Sequence, residues 1–64
     1  MELIQINEEI LLDMFSIAAI QYFPAVEHEK YPEAAKSLVF LKSGDMVSVR
    51  NMTPAEILKK INGR

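Results

Sequence analysis

Cysteine and tryptophan are absent from this 64-residue chain, glycine occurs twice and histidine once. Without cysteine no disulfide can brace the fold, and a structural zinc site would need one histidine with several carboxylates, an unusual ligand set. With only Gly44 and Gly63 there is no glycine-rich phosphate loop, and a turn and a helix end account for the two. Positive charge is not in excess either. Nine acidic against seven basic residues leave a net charge of −2, where a general nucleic-acid binder carries a basic patch to displace counterions. No apolar run approaches the roughly 20 residues that span a bilayer, and Met1-Glu2 lacks the basic start of a secretory signal, so no membrane association is expected. The missing cysteine fits a cytoplasmic protein.

Hydrophobic side chain is what the sequence has in plenty, at 50% of the residues. A chain this short forms one domain, residues 1–64, and buries only about 60% of the surface its unfolded form exposes. With disulfides and metal set aside, self-association is the expected support.

The clearest local signal is Met52-Thr53-Pro54-Ala55-Glu56-Ile57. Thr53 suits a helix N-cap, Pro54 the first helical position and Glu56 the third, closing a capping box, while Met52 and Ile57 form a hydrophobic staple. The helix is expected from Pro54 to about Ile61, burying Ile57, Leu58 and Ile61. Lys59 and Lys60 favour its C-terminus, Gly63 ends it, and Glu56 and Lys60 are spaced as an i,i+4 pair.

Upstream, residues 38–50 read as a β-hairpin with Ser43-Gly44 as a two-residue turn, placing Lys42 opposite Asp45, Leu41 opposite Met46 and Phe40 opposite Val47. One face then carries Leu38, Phe40, Val47 and Val49; the other carries Val39, Leu41 and Met46, with Ser48 and Arg50 towards its end. Both are apolar. The single helix covers one, and another subunit is the candidate cover for the second.

Residues 2–6 read as a first strand and Asn7-Glu8-Glu9 as a turn. Residues 10–23 hold only three polar positions. A helix over residues 8–22, capped by Asn7, would be apolar nearly all round, and this chain has no core large enough to surround it. Two strands, residues 9–13 and 17–23, joined near Met14-Phe15-Ser16, are the preferred reading. Asp13 is expected at a strand end or turn. Residues 24–37 read as a loop with one helical turn at residues 33–36, long for so small a domain and therefore a place to look for function. The expected fold is α+β: a small antiparallel sheet of four to five short strands with one C-terminal helix.

Catalytic chemistry has little to stand on. His28, between Glu27 and Glu29, titrates nearest neutrality, but adjacent residues rarely converge on one point, and it reads as a solvated loop histidine. Ser16, Ser37, Ser43 and Ser48 lie in no nucleophile motif. An enzyme is not expected, and no cofactor or metal is. Rings and cations at Tyr22, His28, Lys30, Tyr31, Lys36 and Arg50 are the candidate partner- or ligand-binding residues, with Lys42 a further cation. Met14, Met46 and Met52 fill core gaps or form an adaptable contact surface.

The strand pair containing Ile17-Ala18-Ala19-Ile20, the run Leu38-Val39-Phe40-Leu41-Lys42-Ser43-Gly44-Asp45-Met46-Val47-Ser48-Val49 and the short helix with Glu56-Ile57 resemble the small flagellar FlbD-like proteins. The long loop at residues 24–37 and the lack of glycine in the first turn depart from that pattern. The resemblance implies a β-rich fold with a terminal helix and no active site, and it favours strands in the middle segment. The expected function is that of a non-enzymatic accessory or inhibitor protein, self-associating and presenting the loop to a protein partner. A second expectation is a homo-oligomeric sensor or sponge for a small anion or nucleotide, of a kind a phage could use against nucleotide signalling. A nucleic-acid-binding regulator is third, disfavoured by charge.

Overall fold

A computed structural model describes residues 2–63. The fold is α+β, with five strands and one C-terminal helix, and the strands divide into two antiparallel sheets. Strands β1 (Leu3–Gln5) and β2 (Leu11–Asp13) form a two-stranded ribbon; β3 (Ile17–Phe23), β4 (Lys36–Leu41) and β5 (Met46–Arg50) form a sheet in the order β3-β4-β5. Helix α1 spans Pro54–Asn62. The apolar middle segment is therefore two strands, as expected, because strands can shed an apolar face to a neighbouring layer where a helix apolar all round could not.

Between the ribbon strands, Asn7 folds the chain back: its side-chain oxygen accepts from Glu9 N–H at 2.8 Å, and Ile6 N–H donates to the Ile10 carbonyl at 2.9 Å. Ile4 and Leu12 lie opposite each other and face inwards. Asp13 then caps a single 3-10 turn, Met14–Ser16, accepting from Phe15 N–H at 3.2 Å, Glu2 N–H at 3.3 Å and the Ser16 hydroxyl at 3.0 Å. The Phe15 amide above all holds its carboxyl below the usual aspartate range, with Ser16 and Glu2 adding to the effect and partial desolvation opposing it.

The β4–β5 turn corrects the expected register. Gly44 N–H donates to the Leu41 carbonyl at 3.0 Å and Leu41 N–H to the Asp45 carbonyl at 2.8 Å, so the loop is Lys42-Ser43-Gly44, three residues rather than two. Gly44, at φ +98°, takes the left-handed position that a type I turn followed by a bulge requires. Phe40 thus pairs with Met46, Val39 with Val47 and Leu38 with Ser48. A one-residue slip exchanges faces. Val39, Leu41, Val47 and Val49 share the inner face with Ser37; Leu38 and Phe40 join Met46, Ser48 and Arg50 on the outer one.

The core lies between that inner face, the ribbon and α1. Ile4, Ile6, Leu12, Val39, Val49 and Ile57 are buried, with Ile10, Met14, Ile17, Ile20, Leu41, Val47, Met52 and Ile61 packed around them. Ser37, also buried, donates its hydroxyl to the Met52 carbonyl and so ties β4 to the residue before the helix cap. Asn51 makes the bend there at φ 58°, a conformation asparagine tolerates better than most residues.

The helix begins as its sequence requires. Glu56 N–H donates to Thr53 Oγ1 at 3.2 Å, and Thr53 N–H donates to Glu56 Oε1 at 3.1 Å. Glu56 therefore turns back to the cap rather than forward to Lys60. Ile57 is fully buried, but Leu58 is 53% exposed, against the expectation that it would be core. Gly63 N–H closes on the Lys59 carbonyl at 2.8 Å; a Cβ there would meet that oxygen at 2.9 Å, so close approach rather than a left-handed φ calls for glycine.

Candidate binding surface

β3 and β4 do not stop at the edge of the sheet. Beyond Phe23 and Lys36 the two chains continue as a narrow arm, with Val26 N–H donating to the Glu33 carbonyl at 2.9 Å and Glu33 N–H returning to Val26 at 3.0 Å. The helical turn expected at residues 33–36 is absent, because Glu33 is extended in this bridge and Lys36 opens β4. All residues from 21 to 34 are exposed, so the arm stands clear of the core.

At its tip His28 has a local task. Its Nδ1 accepts from the backbone N–H groups of Lys30 and Tyr31, both at 3.1 Å, and its ring stacks on Tyr31 at 5.7 Å between centroids. An imidazole that accepts through Nδ1 holds its proton on Nε2. The bonds order a tip on which Tyr31 is 74% exposed. Among the described residues no group of three or more metal-ligating side chains gathers here or elsewhere.

Lys36 and Arg50 face each other across β4 and β5 at the root of the arm, on the outer side of the sheet. Like charges directly opposite repel, and among the described residues neither cation has an ion pair. Lys36 Nζ lies 5.9 Å from the centre of the Phe23 ring. A cavity of about 280 Å³ runs under the arm between Phe23, Val26, Glu33, Lys36 and Leu38, and a second of similar volume is lined by Pro32, Glu33, Lys36 and Arg50. A larger cleft, about 690 Å³, separates Ser48 and Arg50 from the turn carrying Glu8 and Glu9.

The six residues singled out from sequence thus fall into three places. His28, Lys30 and Tyr31 form the tip; Lys36 and Arg50 form the root; Tyr22 pairs with Ser37 and lies on the opposite face from Lys36. What sequence reasoning missed is the apolar part of the surface: Phe23 beside Lys36, and Leu38, Phe40 and Met46 on the same outer face. The signal was present in the alternation of residues 36–41, but the assumed two-residue turn grouped Leu38 and Phe40 with Val47 and Val49 instead of with Met46 and Ser48.

No family model matches the chain, and no curated protein or solved structure shows significant similarity to it. Among the described residues no helix is long and apolar enough to cross a membrane.

Proposed function

We propose that this is a non-enzymatic, self-associating cytoplasmic protein that binds a protein partner through the arm at residues 24–35, acting as an accessory or inhibitor. The arm carries this reading: an exposed extension, ordered by its own hydrogen bonds and His28–Tyr31 stack, that contributes nothing to the core. Solvent-exposed aromatic rings held rigid are the side chains that serve best as contact anchors, because they lose little conformational entropy on binding.

Replacing Tyr31 by a photo-crosslinking amino acid in the producing cell tests the reading. A single protein adduct is expected, and it should disappear when His28→Ala loosens the tip. Crosslinking only to solvent or to many unrelated proteins would contradict it.

A second reading is favoured by the unpaired Lys36–Arg50 couple beside Phe23, which suits a small anion carrying an aromatic or apolar part, such as a nucleotide. A nucleotide panel that raises the melting temperature of the unaltered protein, but not of Arg50→Ala, would support it through linkage. No shift across the panel would set it aside.

A further inference from the structure

Resting on that reading of self-association, we infer that two copies of this chain join through the free edge of β3, forming a continuous six-stranded sheet about a two-fold axis at Ile20. The backbone directions follow from the turn. Leu41 N–H donates to the carbonyl of Asp45, the residue before β5, so Val39 and Ser37 also direct their backbone groups at β5, and the alternate residues Phe40, Leu38 and Lys36 direct theirs at β3. Their partners are Ala19, Gln21 and Phe23. Ile20 and Tyr22 consequently point their N–H and C=O groups away from the sheet. Outside the β3–β4 ladder, no turn, loop or cap hydrogen bond among the described residues reaches the backbone of Ala19–Phe23.

Sheet edges are ordinarily blunted by lysine, proline, a bulge or brevity. β3 is the longest strand, at seven residues, and carries no charge; its one irregularity lies at its start, between Ile17 and Ala19. The other edge, β5, is shorter, ends in Arg50 and borders the cleft beside Glu8 and Glu9. The β3 sequence is also compatible with itself in antiparallel order. Centred on Ile20, it sets Ile20 opposite Ile20 and Ala19 opposite Gln21 of the second copy, with no like charges meeting. The outward groups of Ile20 then fall at a hydrogen-bonded pair, as the geometry requires.

The chain is also more extended than a compact monomer of its mass. The chain exposes 4942 Å², whereas a compact monomer of 7.3 kDa exposes about 4,200 Å². Its radius of gyration, 12.5 Å, likewise exceeds the roughly 10.7 Å of a compact 64-residue domain. The same two-fold carries each arm, with Val26 48% exposed, towards the other copy's 3-10 turn, where Phe15 is 60% exposed.

Paired charges at positions 19 and 21 test both the edge and its register, since both side chains are exposed on the outer face. Light scattering at micromolar concentration should give twice the 7.3 kDa chain mass for the unaltered protein. Ala19→Lys with Gln21→Lys should weaken the dimer about tenfold or more, while Ala19→Lys with Gln21→Glu should restore it. A monomeric unaltered chain would overturn self-association altogether; a dimer indifferent to the lysine pair would overturn only the β3 edge. Should the lysine pair unfold the protein, mixed-label NMR of the unaltered dimer decides instead. Ala19 and Gln21 would be a non-hydrogen-bonded pair with close Hα atoms, and the absence of an intermolecular contact between them would overturn the proposal.

Discussion

The two faces of the β3-β4-β5 sheet are both apolar, yet one packs against the ribbon and α1 while the other is the more exposed. Val39 and Val49 on the inner face have no solvent exposure, while Met46 on the outer face is 62% exposed and Phe23 36%. The difference lies in supply rather than composition. One nine-residue helix and one short ribbon are enough for one side of the sheet, and among the described residues no further element is left to cover the second. The arm sharpens the contrast, because residues that could have folded back over Leu38 and Phe40 instead pair with each other and extend outwards.

Breaking the sealed side should have the largest effect. Ile57→Ala removes a fully buried side chain from between helix and sheet and is expected to cost about 2–5 kcal/mol, a large part of what a small domain has. Urea unfolding measures it. Gly44→Ala meets no steric neighbour, so its cost is the left-handed backbone alone, about 1–2 kcal/mol by the same measurement. Thr53→Ala removes the cap acceptor and should cost about 1 kcal/mol, read as a fall in melting temperature. On the open side, Met46→Ser should alter folding of the monomer by less than about 0.5 kcal/mol. A loss comparable to that of Ile57→Ala would show that the outer face is covered within one chain.

Asp13 gives the smallest effect and a defined sign. Its folded-state pKa is lowered, so the ionised form is favoured in the fold; its contribution is present above the ordinary aspartate pKa and is lost as pH falls through the folded value. Stability of the unaltered protein should therefore fall more steeply on acidification than that of Asp13→Asn. Parallel pH profiles would show that the bonds to Phe15 and Ser16 do not hold in solution.

Much of this architecture could be read from residue types. Thr53, Pro54 and Glu56 specify the helix start through interactions confined to four residues, and the structure has all of them. The two strands in the middle segment followed from the impossibility of burying an all-apolar helix. The register did not follow, because Lys42-Ser43-Gly44-Asp45 accommodates a two- or a three-residue loop, and apolar residues on both β4 faces gave no penalty for choosing wrongly. Leu58 failed because α1 packs through Ile57 and Ile61, and Leu58 lies outside that narrow stripe. The arm was legible only as a loop, since a single bridge between Val26 and Glu33 and a histidine accepting two amides leave no periodic pattern. The division of the candidate residues into tip, root and opposite face depends on that same pairing and could not precede it.

The central claim is that the free β3 edge of the sheet is completed by a second copy of the chain. Amide hydrogen exchange along that strand, measured at two protein concentrations, tests it most directly. Ala19, Gln21 and Phe23 should be protected at both, their N–H groups lying in the β3–β4 ladder. Ile20 and Tyr22 should become protected as concentration rises; exchange of these two at the unprotected rate throughout, beside slow exchange at their neighbours, would contradict the account.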